Sequence, residues 1–134
     1  MRQTICAGFY GLLPSALRNA IANTTKYTDN AGGTTQRATD VTATTDKVFV
    51  PALHEVNGTD SSANAYENNY QAVYSYYSNG NSNIKYRSDD LSEQAIYRLR
   101  SPNGAYGFSI IDPGGSGASR ADNSYGFVPC FKVG

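Results

Sequence analysis

The sequence contains one set of reactive side chains that could act together in covalent catalysis: His54, Glu55 and Cys130. An imidazole that takes the proton of a thiol is an arrangement used in covalent catalysis. His54 is the single histidine of the chain, so no second imidazole is present to support a metal site. A lone histidine beside the end of a predicted strand is more often a structural or surface residue. We therefore expect no catalysis from these groups.

Carboxylates are the next candidates, either as ligands of a cation or as an acid–base pair. Four aspartates could supply oxygen ligands, but their spacing does not match the EF-hand loop. We interpret them as solvated side chains and expect neither a metal nor another cofactor. Hydrolysis of a polysaccharide needs two carboxylates that flank the scissile bond, and no distinctive context marks such a pair. The aspartates are Asp89, Asp90, Asp112 and Asp122, and the possible pairs come from Glu55, Glu67, Asp89, Asp90 and Glu93.

Two further motifs could bind an anion. The segment DPGGSG, residues 112–117, is rich in glycine, but no Gly-Lys-Ser/Thr follows it and no helix is predicted after it. It therefore does not predict a phosphate loop. Arg100 could bind an anionic ligand, but the interpretation that we favour is structural, with its guanidinium holding the carbonyl groups of loops.

Polar and aromatic residues on the C-terminal loops form the best candidate for a binding surface. They combine aromatic, amide and charged groups on loops between predicted strands, and a rigid scaffold can present such loops to a ligand. An ordinary polar rim explains the same residues equally well. The predicted ligand-binding residues are Asn103, Tyr106, Asp112, Arg120, Asp122, Asn123 and Tyr125.

Length and composition predict one domain over residues 1–134, with 40% hydrophobic residues and a formal net charge of zero. The neutral charge argues against a nucleic-acid partner. No stretch reaches the roughly 20 apolar residues that span a bilayer, so we expect no membrane insertion and no secretory signal. Eleven tyrosines accompany abundant Asn, Ser, Thr and Gly, which is typical of recognition loops or of half-buried tyrosine filler. We favour thiols over a disulfide for Cys6 and Cys130.

The first two thirds of the chain predict short elements joined by polar segments. Apolar residues four apart favour a short helix from Pro14 to Asn23. The threonine-rich segment 24–46 is either a long surface loop or a pair of weak edge strands. KVFVPAL, residues 47–53, predicts a buried strand that ends near its proline, and HEVNGTDSSANA, residues 54–65, is typical of turns. Tyrosines spaced by three and four in residues 66–77 favour a helix or an irregular turn that Asn79-Gly80 closes.

The last third predicts short antiparallel strands. In IYRLRSP, Ile96 and Leu99 alternate with Arg98 and Arg100, which indicates a strand with one buried face that Ser101-Pro102 ends. GFSII predicts a second strand, DPGGSG a turn, and YGFVPCFKV a closing strand that Pro129 places at an edge, bulge or bend. Tight turns are expected to need positive φ at Gly104, Gly107, Gly114, Gly115 and Gly117. Short helices followed by short strands predict an α+β fold.

Several blocks in this order carry a resemblance to a known family. They are DKVFVPALHEV, YRLRSP, GFSIIDPGG and ADNSYGFVPCFKV. Together they resemble a bacterial and bacteriophage domain of unknown function that carries a W-W-L-R-S-P block and a closing G-V-x-P-A-F/L strand. Copies with the Tyr-rich middle seen here are similar to those in phage structural genes. The resemblance covers most of the chain from Leu12 to Val133.

That family is similar to the C-type-lectin-like fold of formylglycine-generating enzymes and of variable phage receptor-binding proteins. The resemblance implies two short helices that flank small twisted antiparallel sheets with long loops. The segment 1–10 has room for only one of the family's early strands, so we expect an abbreviated N-terminal part or a strand borrowed from a neighbouring subunit. Formylglycine-generating enzymes use a pair of cysteines in their C-terminal part, and the C-terminal part of this chain contains only Cys130. The calcium motifs of sugar-binding lectins do not occur either.

These features predict a non-enzymatic phage virion module of the tail, fibre or receptor-binding type. Its expected partners are a host cell-surface glycan or protein, other virion proteins and further copies of itself, with the virion as its location. The alternative is a purely architectural virion subunit, a decoration or tip protein, whose tyrosines are buried between protomers. An enzyme that acts on host polysaccharide is the weakest of the three interpretations.

Overall fold

The computed structural model describes residues 2–30, 38–58, 65–68, 70–104 and 107–134. The described chain is α+β, with short helices and small sheets, as the sequence predicts, but the described residues form five short helices where two were expected. The helices are α1 (Arg2–Leu12), α2 (Ser15–Ala20), α3 (Leu53–Asn57), α4 (Ala65–Asn68) and α5 (Ser75–Ser78), with a 3₁₀ turn at Ala38–Asp40. The strands are β1 (Ile21–Ala22), β2 (Thr24–Asp29), β3 (Val41–Asp46), β4 (Lys85–Tyr86), β5 (Gln94–Ala95), β6 (Tyr97–Asn103), β7 (Gly107–Asp112), β8 (Gly115–Arg120), β9 (Gly126–Phe127) and β10 (Lys132–Val133).

The strands form a central four-stranded sheet and three two-stranded ladders among the described residues. The central sheet has the order β8-β7-β6-β9, and the ladders are β1-β10, β2-β3 and β4-β5. Strand β9 runs parallel to β6, pairing Tyr97 with Gly126 and Arg98 with Phe127. The expectation of exclusively antiparallel strands is therefore wrong at this edge. The consequence for the surface is that residues 124–128 lie directly beside the start of β6.

The N-terminal segment is helical, which corrects the prediction of at most one strand in residues 1–10. Cys6 of α1 is buried in a cluster with Val48 and Val50, and Phe9 and Tyr10 pack against that cluster. Spacings of three and four put these side chains on one helix face, so burial outweighs the two glycines of α1. Helix α2 begins after Pro14 as predicted. It ends at Ala20 rather than at residue 23, because Ile21 is extended and pairs with Val133.

The threonine-rich segment 24–46 forms the β2–β3 hairpin, so the alternative of paired strands is confirmed. Residues 48–50 are buried as predicted, but they form no regular strand. Phe49 makes an isolated bridge instead, exchanging backbone hydrogen bonds of 2.9 and 2.8 Å with Cys130. The segment predicted as a turn after Pro51 begins with the short helix α3. Gly58 closes that helix in the left-handed region at φ 65°, so the turn prediction is wrong for residues 54–57 and right at the glycine, while residues 59–64 lie outside the described part of the chain.

The tyrosine-rich segment contains two short helices, α4 and α5, and the residues described between them, 70–74, are non-helical. Tyr74 is extended at φ −62° and ψ 136°, immediately before α5. Asn79 is the C-cap of α5, and Gly80 follows at φ 83°. The predicted Asn79-Gly80 turn at the end of this segment is thus confirmed. The segment is not one continuous helix, because the residues described between α4 and α5 have the irregular structure that was the alternative prediction.

Strand β6 does not stop at Ser101-Pro102, because it accommodates the proline with a bulge. Arg98 pairs with Ile110 and Pro102 pairs with Phe108, so residues 99–101 lie opposite Ser109 alone. The N–H of Arg100 leaves the ladder and donates to the carbonyl of Pro51 at 2.9 Å. A bulge re-aims the side chains that it contains, and here it turns Arg100 into the interior. The buried face of β6 is formed by Tyr97, Leu99 and Ser101 with Arg100, instead of by Ile96 and Leu99.

Two of the five glycines expected at positive φ have it: Gly104 at 69° and Gly115 at 122°. Gly107 is required for a different reason, since a Cβ there would lie 2.7 Å from the carbonyl oxygen of Ser119. The predicted closing strand is divided by Pro129 into β9 and β10. Neither cysteine forms a disulfide; Cys6 is buried and Cys130 is partly buried.

Candidate functional site

A buried charge cluster is formed by Lys26 of β2, Glu55 of α3 and Arg100 of β6. Arg100 Nη1 lies 2.7 Å from Glu55 Oε2, and their side chains are 1% and 2% exposed. Lys26 Nζ donates to Glu55 Oε1 at 2.6 Å and to the Tyr74 hydroxyl at 3.1 Å. It also lies 4.2 Å from the centre of the Phe49 ring. Together with Tyr74, the three residues of the cluster join four segments that are distant in sequence.

The protonation state of Glu55 follows from opposing effects. Burial is the largest effect and by itself raises the pKa of the carboxyl group, because a charge in the interior is poorly solvated. The Arg100 charge, the N–H of Ala52 and Lys26 act in the other direction. Together they hold the pKa of Glu55 below its ordinary value, so the carboxylate is ionised and both of its oxygens are engaged.

A second buried carboxylate, Glu67 of α4, has hydrogen bonds but no ion pair with any of the described residues. Its Oε1 accepts from the Ser101 hydroxyl at 2.5 Å, and its Oε2 accepts from the N–H of Asp29 at 2.9 Å. Ser101 in turn accepts from the N–H of Leu53 at 2.9 Å. Burial dominates here, and the pKa of Glu67 is raised above its ordinary value. These contacts fasten the tyrosine-rich segment to β2 and β6.

The His54, Glu55 and Cys130 groups do not form a nucleophile and its base. Glu55 is committed to two cations, and burial raises the pKa of the Cys130 thiol to about 11. A thiol of that pKa is neutral at physiological pH and is a poor nucleophile. The structural interpretation of Arg100 is confirmed, because its guanidinium donates to the carbonyls of Val50 and Tyr27 at 2.8 and 3.0 Å.

The candidate site lies on the surface, in a groove of about 540 Å³ lined by residues 85–89, 93–97 and 124–128. We call it the rim groove. One wall is the β4–β5 ladder with its connection, and the other is the segment that enters β9. Tyr86 and Tyr125 line it and are 53% and 36% exposed. Tyr97 lines it from within the core, with its hydroxyl donating to the carbonyl of Asn83 at 2.6 Å.

Charged side chains along the groove are paired with one another. Arg87 donates through Nε and Nη2 to the two oxygens of Asp89 at 2.9 and 2.6 Å, and through Nη1 to Glu93 Oε2 at 3.0 Å. We call these three residues the groove charge cluster. The hydrogen bonds from Arg87 lower the pKa of Asp89 to about 2. Lys85 lies over the rings of Tyr76 and Tyr77, with Nζ 5.6 and 5.3 Å from their centres.

Next to the groove, Arg98 of β6 lies between two aromatic rings. Its Cζ atom is 5.9 Å from the centre of the Phe108 ring and 5.7 Å from that of Tyr125. Its Nη2 donates to the carbonyl of Arg120 at 2.8 Å and to that of Asn123. Arg98 therefore fixes both the ring of Tyr125 and the turn that leads to it.

The structure brings four of the predicted ligand-binding residues into one turn and its exit. Arg120 pairs with Asp122, Nη2 to Oδ2, at 3.1 Å, and the Asn123 amide donates to the Ser119 hydroxyl at 2.6 Å. Tyr125 follows and is the one member of the predicted set that lines the rim groove. Asn103 lies at the same end of the sheet, in register with Gly107 and through it with Arg120.

One further predicted residue, Asp112, does not join this group. Asp112 is at the opposite end of β7, where its Oδ1 accepts from the N–H of Gly114 at 2.8 Å and shapes the turn into β8. Tyr106 lies outside the described residues. Sequence reasoning missed Tyr86, Arg87, Glu93 and Arg98 as surface-site residues. Clustered charges between two short strands, RSDDLSE at 87–93, were the pattern that could have indicated them.

The described residues contain no group of three or more His, Cys, Asp and Glu side chains placed to hold a metal ion. Within the described part of the chain, no helix has the length and apolar character that crossing a membrane requires.

Comparisons with known proteins give one match. Neither the curated proteins nor the solved structures contain a match to this chain. A family of domains matches it from the first residue to the last, residues 1–134. The chain therefore belongs to the family described as a domain of unknown function, DUF6273.

Proposed function

We propose that this domain is a non-enzymatic recognition module of a bacteriophage virion, of the tail, fibre or receptor-binding type. In this proposal a C-type-lectin-like platform presents the rim groove to a glycan or protein on the host surface. The observation that carries the proposal is the groove itself. Two exposed tyrosines and a set of polar groups line it. Its volume of about 540 Å³ is within the range of roughly 300–1,000 Å³ that ligand clefts occupy.

The rigidity of the groove wall supports binding. Tyr125 is set by Arg98, which holds the preceding turn through two backbone carbonyls. Tyr86 belongs to the β4–β5 ladder, where it pairs with Gln94. A surface that is already ordered loses little entropy when a ligand binds, and tyrosine provides contact area with few rotatable bonds.

The distribution of ionisable groups supports a role without catalysis. Glu55 and Glu67 are buried and hold segments of the fold together, so neither can reach a substrate. Asp89 and Glu93 share one arginine, which keeps the pKa of Asp89 at about 2 and makes it a poor general acid. Asp90 accepts from the N–H and hydroxyl of Ser92, in a local turn.

The virion setting and the lectin-like classification rest on the ordered sequence blocks, with the α+β architecture as compatible support. Peptide mass spectrometry of purified particles tests the setting directly. Peptides of this chain in gradient-purified virions are the expected result. Their presence only in the lysate, with other virion proteins detected in the particles, would refute it.

Binding is tested by co-sedimentation of the purified domain with a panel of bacterial cell envelopes. The expected result is that the wild type sediments with at least one envelope and that the double variant Tyr86→Ala/Tyr125→Ala does not. Circular dichroism verifies that the variant is folded. Equal sedimentation of the two proteins would remove the groove from the proposal, and sedimentation with no envelope would remove host recognition.

The architectural alternative is favoured by a different surface. Tyr70 and Tyr76 are 51% and 56% exposed, and Tyr70 stacks on Tyr27 with ring centres 4.6 Å apart. Exposed, ordered tyrosines are typical of surfaces that become buried between protomers. Light scattering after size exclusion separates the two functions. A symmetric oligomer that Tyr70→Ala and Tyr76→Ala dissociate supports the architectural role, whereas a monomer excludes it.

A further inference from the structure

The rim groove has a definite chemical character beyond its ability to bind. Its two exposed tyrosines supply flat apolar faces, and the two carboxylates of its lining, Asp89 and Glu93, are already paired with Arg87. We infer that the groove takes an uncharged saccharide, with pyranose rings stacked on Tyr86 or Tyr125 and hydroxyl groups hydrogen-bonded to Asp89 and Glu93. This inference rests on the proposed recognition function and specifies the ligand of the same site.

Charge balance excludes the common charged ligands. Lys85 and Arg87 are opposed by Asp89 and Glu93, so the ionised groups of these four residues sum to zero. An anionic ligand finds the fork of Arg87 occupied by two carboxylates, and to use it the ligand would have to displace them. A cationic ligand finds both carboxylates already hydrogen-bonded to Arg87, and the one negative charge that Arg87 leaves over is offset in this set by Lys85.

The same pairing prepares the carboxylates to accept hydroxyl groups. Each carboxylate oxygen has two acceptor positions, and the hydrogen bonds from Arg87 use only some of them. Because the pKa of Asp89 is about 2, its acceptors are present at every physiological pH. A sugar has the matching character, with hydroxyl donors around its edge and C–H groups on its faces.

Aromatic rings at the two sides of the groove provide the stacking surface. Arg98 lies over the ring of Tyr125 and fixes its orientation, and Tyr86 is held by the pairing of β4 with β5. Tyrosine combines a broad apolar face with a polar tip, which suits a ligand that is apolar on its faces and polar at its edge. No metal is needed for this mode, since carboxylates already set by an arginine supply the acceptors.

A polypeptide in extended form fits the groove less well. Peptides that bind by strand addition need a row of main-chain groups on an exposed sheet edge. The edge strands at this groove are β4, β5 and β9, and each contains only two residues. The side chains, rather than the backbone, therefore provide the recognition surface of the groove.

The experiment is a titration of ¹⁵N-labelled protein, followed by the backbone amide signals of Tyr86, Ala95 and Gly126. The probes are neutral mono-, di- and trisaccharides of hexoses and N-acetylhexosamines, with sialyllactose, a galacturonate trimer and a tyrosine-containing pentapeptide as the other classes. At least one neutral saccharide is expected to shift the groove signals. Tyr86→Ala is expected to weaken that binding by about tenfold, the value of one aromatic contact, and Tyr86→Phe by about twofold at most.

Tyr70→Ala is the matched control, because Tyr70 is as exposed as Tyr86 but does not line the rim groove. The Kd of this variant for the saccharide is expected to stay within about twofold of the wild-type value. Groove signals that respond to an acidic saccharide or to the peptide, and to no neutral saccharide, would overturn the inferred ligand while leaving the recognition function in place. Groove signals that respond to none of the probes overturn the inference, and the envelope experiment then decides the proposed function separately.

Discussion

The buried charge cluster and the groove charge cluster are built from the same pairing of arginine with carboxylate, but their surroundings are opposite. Arg100 and Glu55 are 1% and 2% exposed, whereas Arg87, Asp89 and Glu93 are 46%, 66% and 58% exposed. Inside, each charge depends on its partner because water cannot replace it. Outside, water and salt compete for every contact.

The difference separates residues that fold the chain from residues that can meet a ligand. Removing one member of a buried pair leaves an uncompensated charge in the interior, which is costly. Removing one member of an exposed pair changes the surface and little else. The predictions that follow test this division, beginning with the largest expected effect.

Glu55→Ala is expected to destabilise the domain by about 3–5 kcal/mol, because it leaves Lys26 and Arg100 buried without their carboxylate. Urea unfolding followed by circular dichroism measures the free energy of unfolding. Glu93→Ala is the matched control at the groove and is expected to leave the unfolding midpoint unchanged. A comparable loss in both variants would show that the two clusters do not differ in the way that their burial indicates.

Gly107→Ala is expected to cost about 1–3 kcal/mol, because the new Cβ would lie 2.7 Å from the Ser119 carbonyl and 3.0 Å from that of Asn103. Both contacts are with backbone, so β6 or β8 has to shift. Gly117→Ala is the control, since its nearest neighbour is the Asp112 carboxylate at 3.5 Å. If Gly107→Ala unfolds at the same urea concentration as the control, the sheet end that carries Arg120 is softer than its packing indicates.

These two regions also differ in how far the sequence could predict them. The structural role of Arg100 follows from a local pattern, because strand signals and Ser-Pro surround it. The helix α3 around Glu55 was missed because its five residues are too short to show a period. Its helical form depends on distant partners, Arg100 and Lys26, together with the carboxylate of Glu55 that accepts from the N–H of Ala52 at 2.8 Å.

The groove was harder to predict, because it depends on a pairing between segments far apart in the chain. Sequence reasoning found Tyr125 but not Tyr86, and only the parallel pairing of β9 with β6 brings the segment of Tyr125 beside the β4–β5 ladder. Local patterns predict strands well where side chains alternate, as in β6, or where an apolar run is bounded by turn residues, as in β7. They carry no information about which short strand a two-residue segment such as Gly126–Phe127 will join.

The two buried glutamates are expected to give stability opposite dependences on pH. The pKa of Glu67 in the folded protein is raised above its ordinary value of 4.5. The folded state therefore gains stability as the pH falls from this raised pKa towards 4.5. The pKa of Glu55 is lowered, so the stability that it contributes is complete above 4.5 and is lost as pH falls below that value.

Melting temperatures measured between pH 3 and pH 8 test this prediction against two isosteric variants. Glu67→Gln is expected to remove the increase in melting temperature that occurs as the pH falls from neutral towards 4.5. Glu55→Gln is expected to remove part of the decrease in melting temperature below pH 4.5. The amide side chain in Glu67→Gln keeps one acceptor for Ser101 or Asp29, so the variant should fold. A wild-type curve whose neutral side is unchanged by Glu67→Gln would mean that this carboxyl group titrates at its ordinary pKa.

The smallest effect concerns the groove charge cluster, where a change in ionisation is expected without a change in stability. In the wild type the Asp89 carboxyl group should titrate with a pKa of about 2, because Arg87 donates two hydrogen bonds to it. In Arg87→Ala the pKa should return towards the ordinary value of 3.8, while the urea midpoint at pH 7 stays the same. Carboxyl ¹³C signals followed through an acid titration report both states. A wild-type pKa near 3.8 would show that the arginine fork is not formed in solution, and the pairing of Arg87 with Asp89 inferred for the groove would then no longer hold.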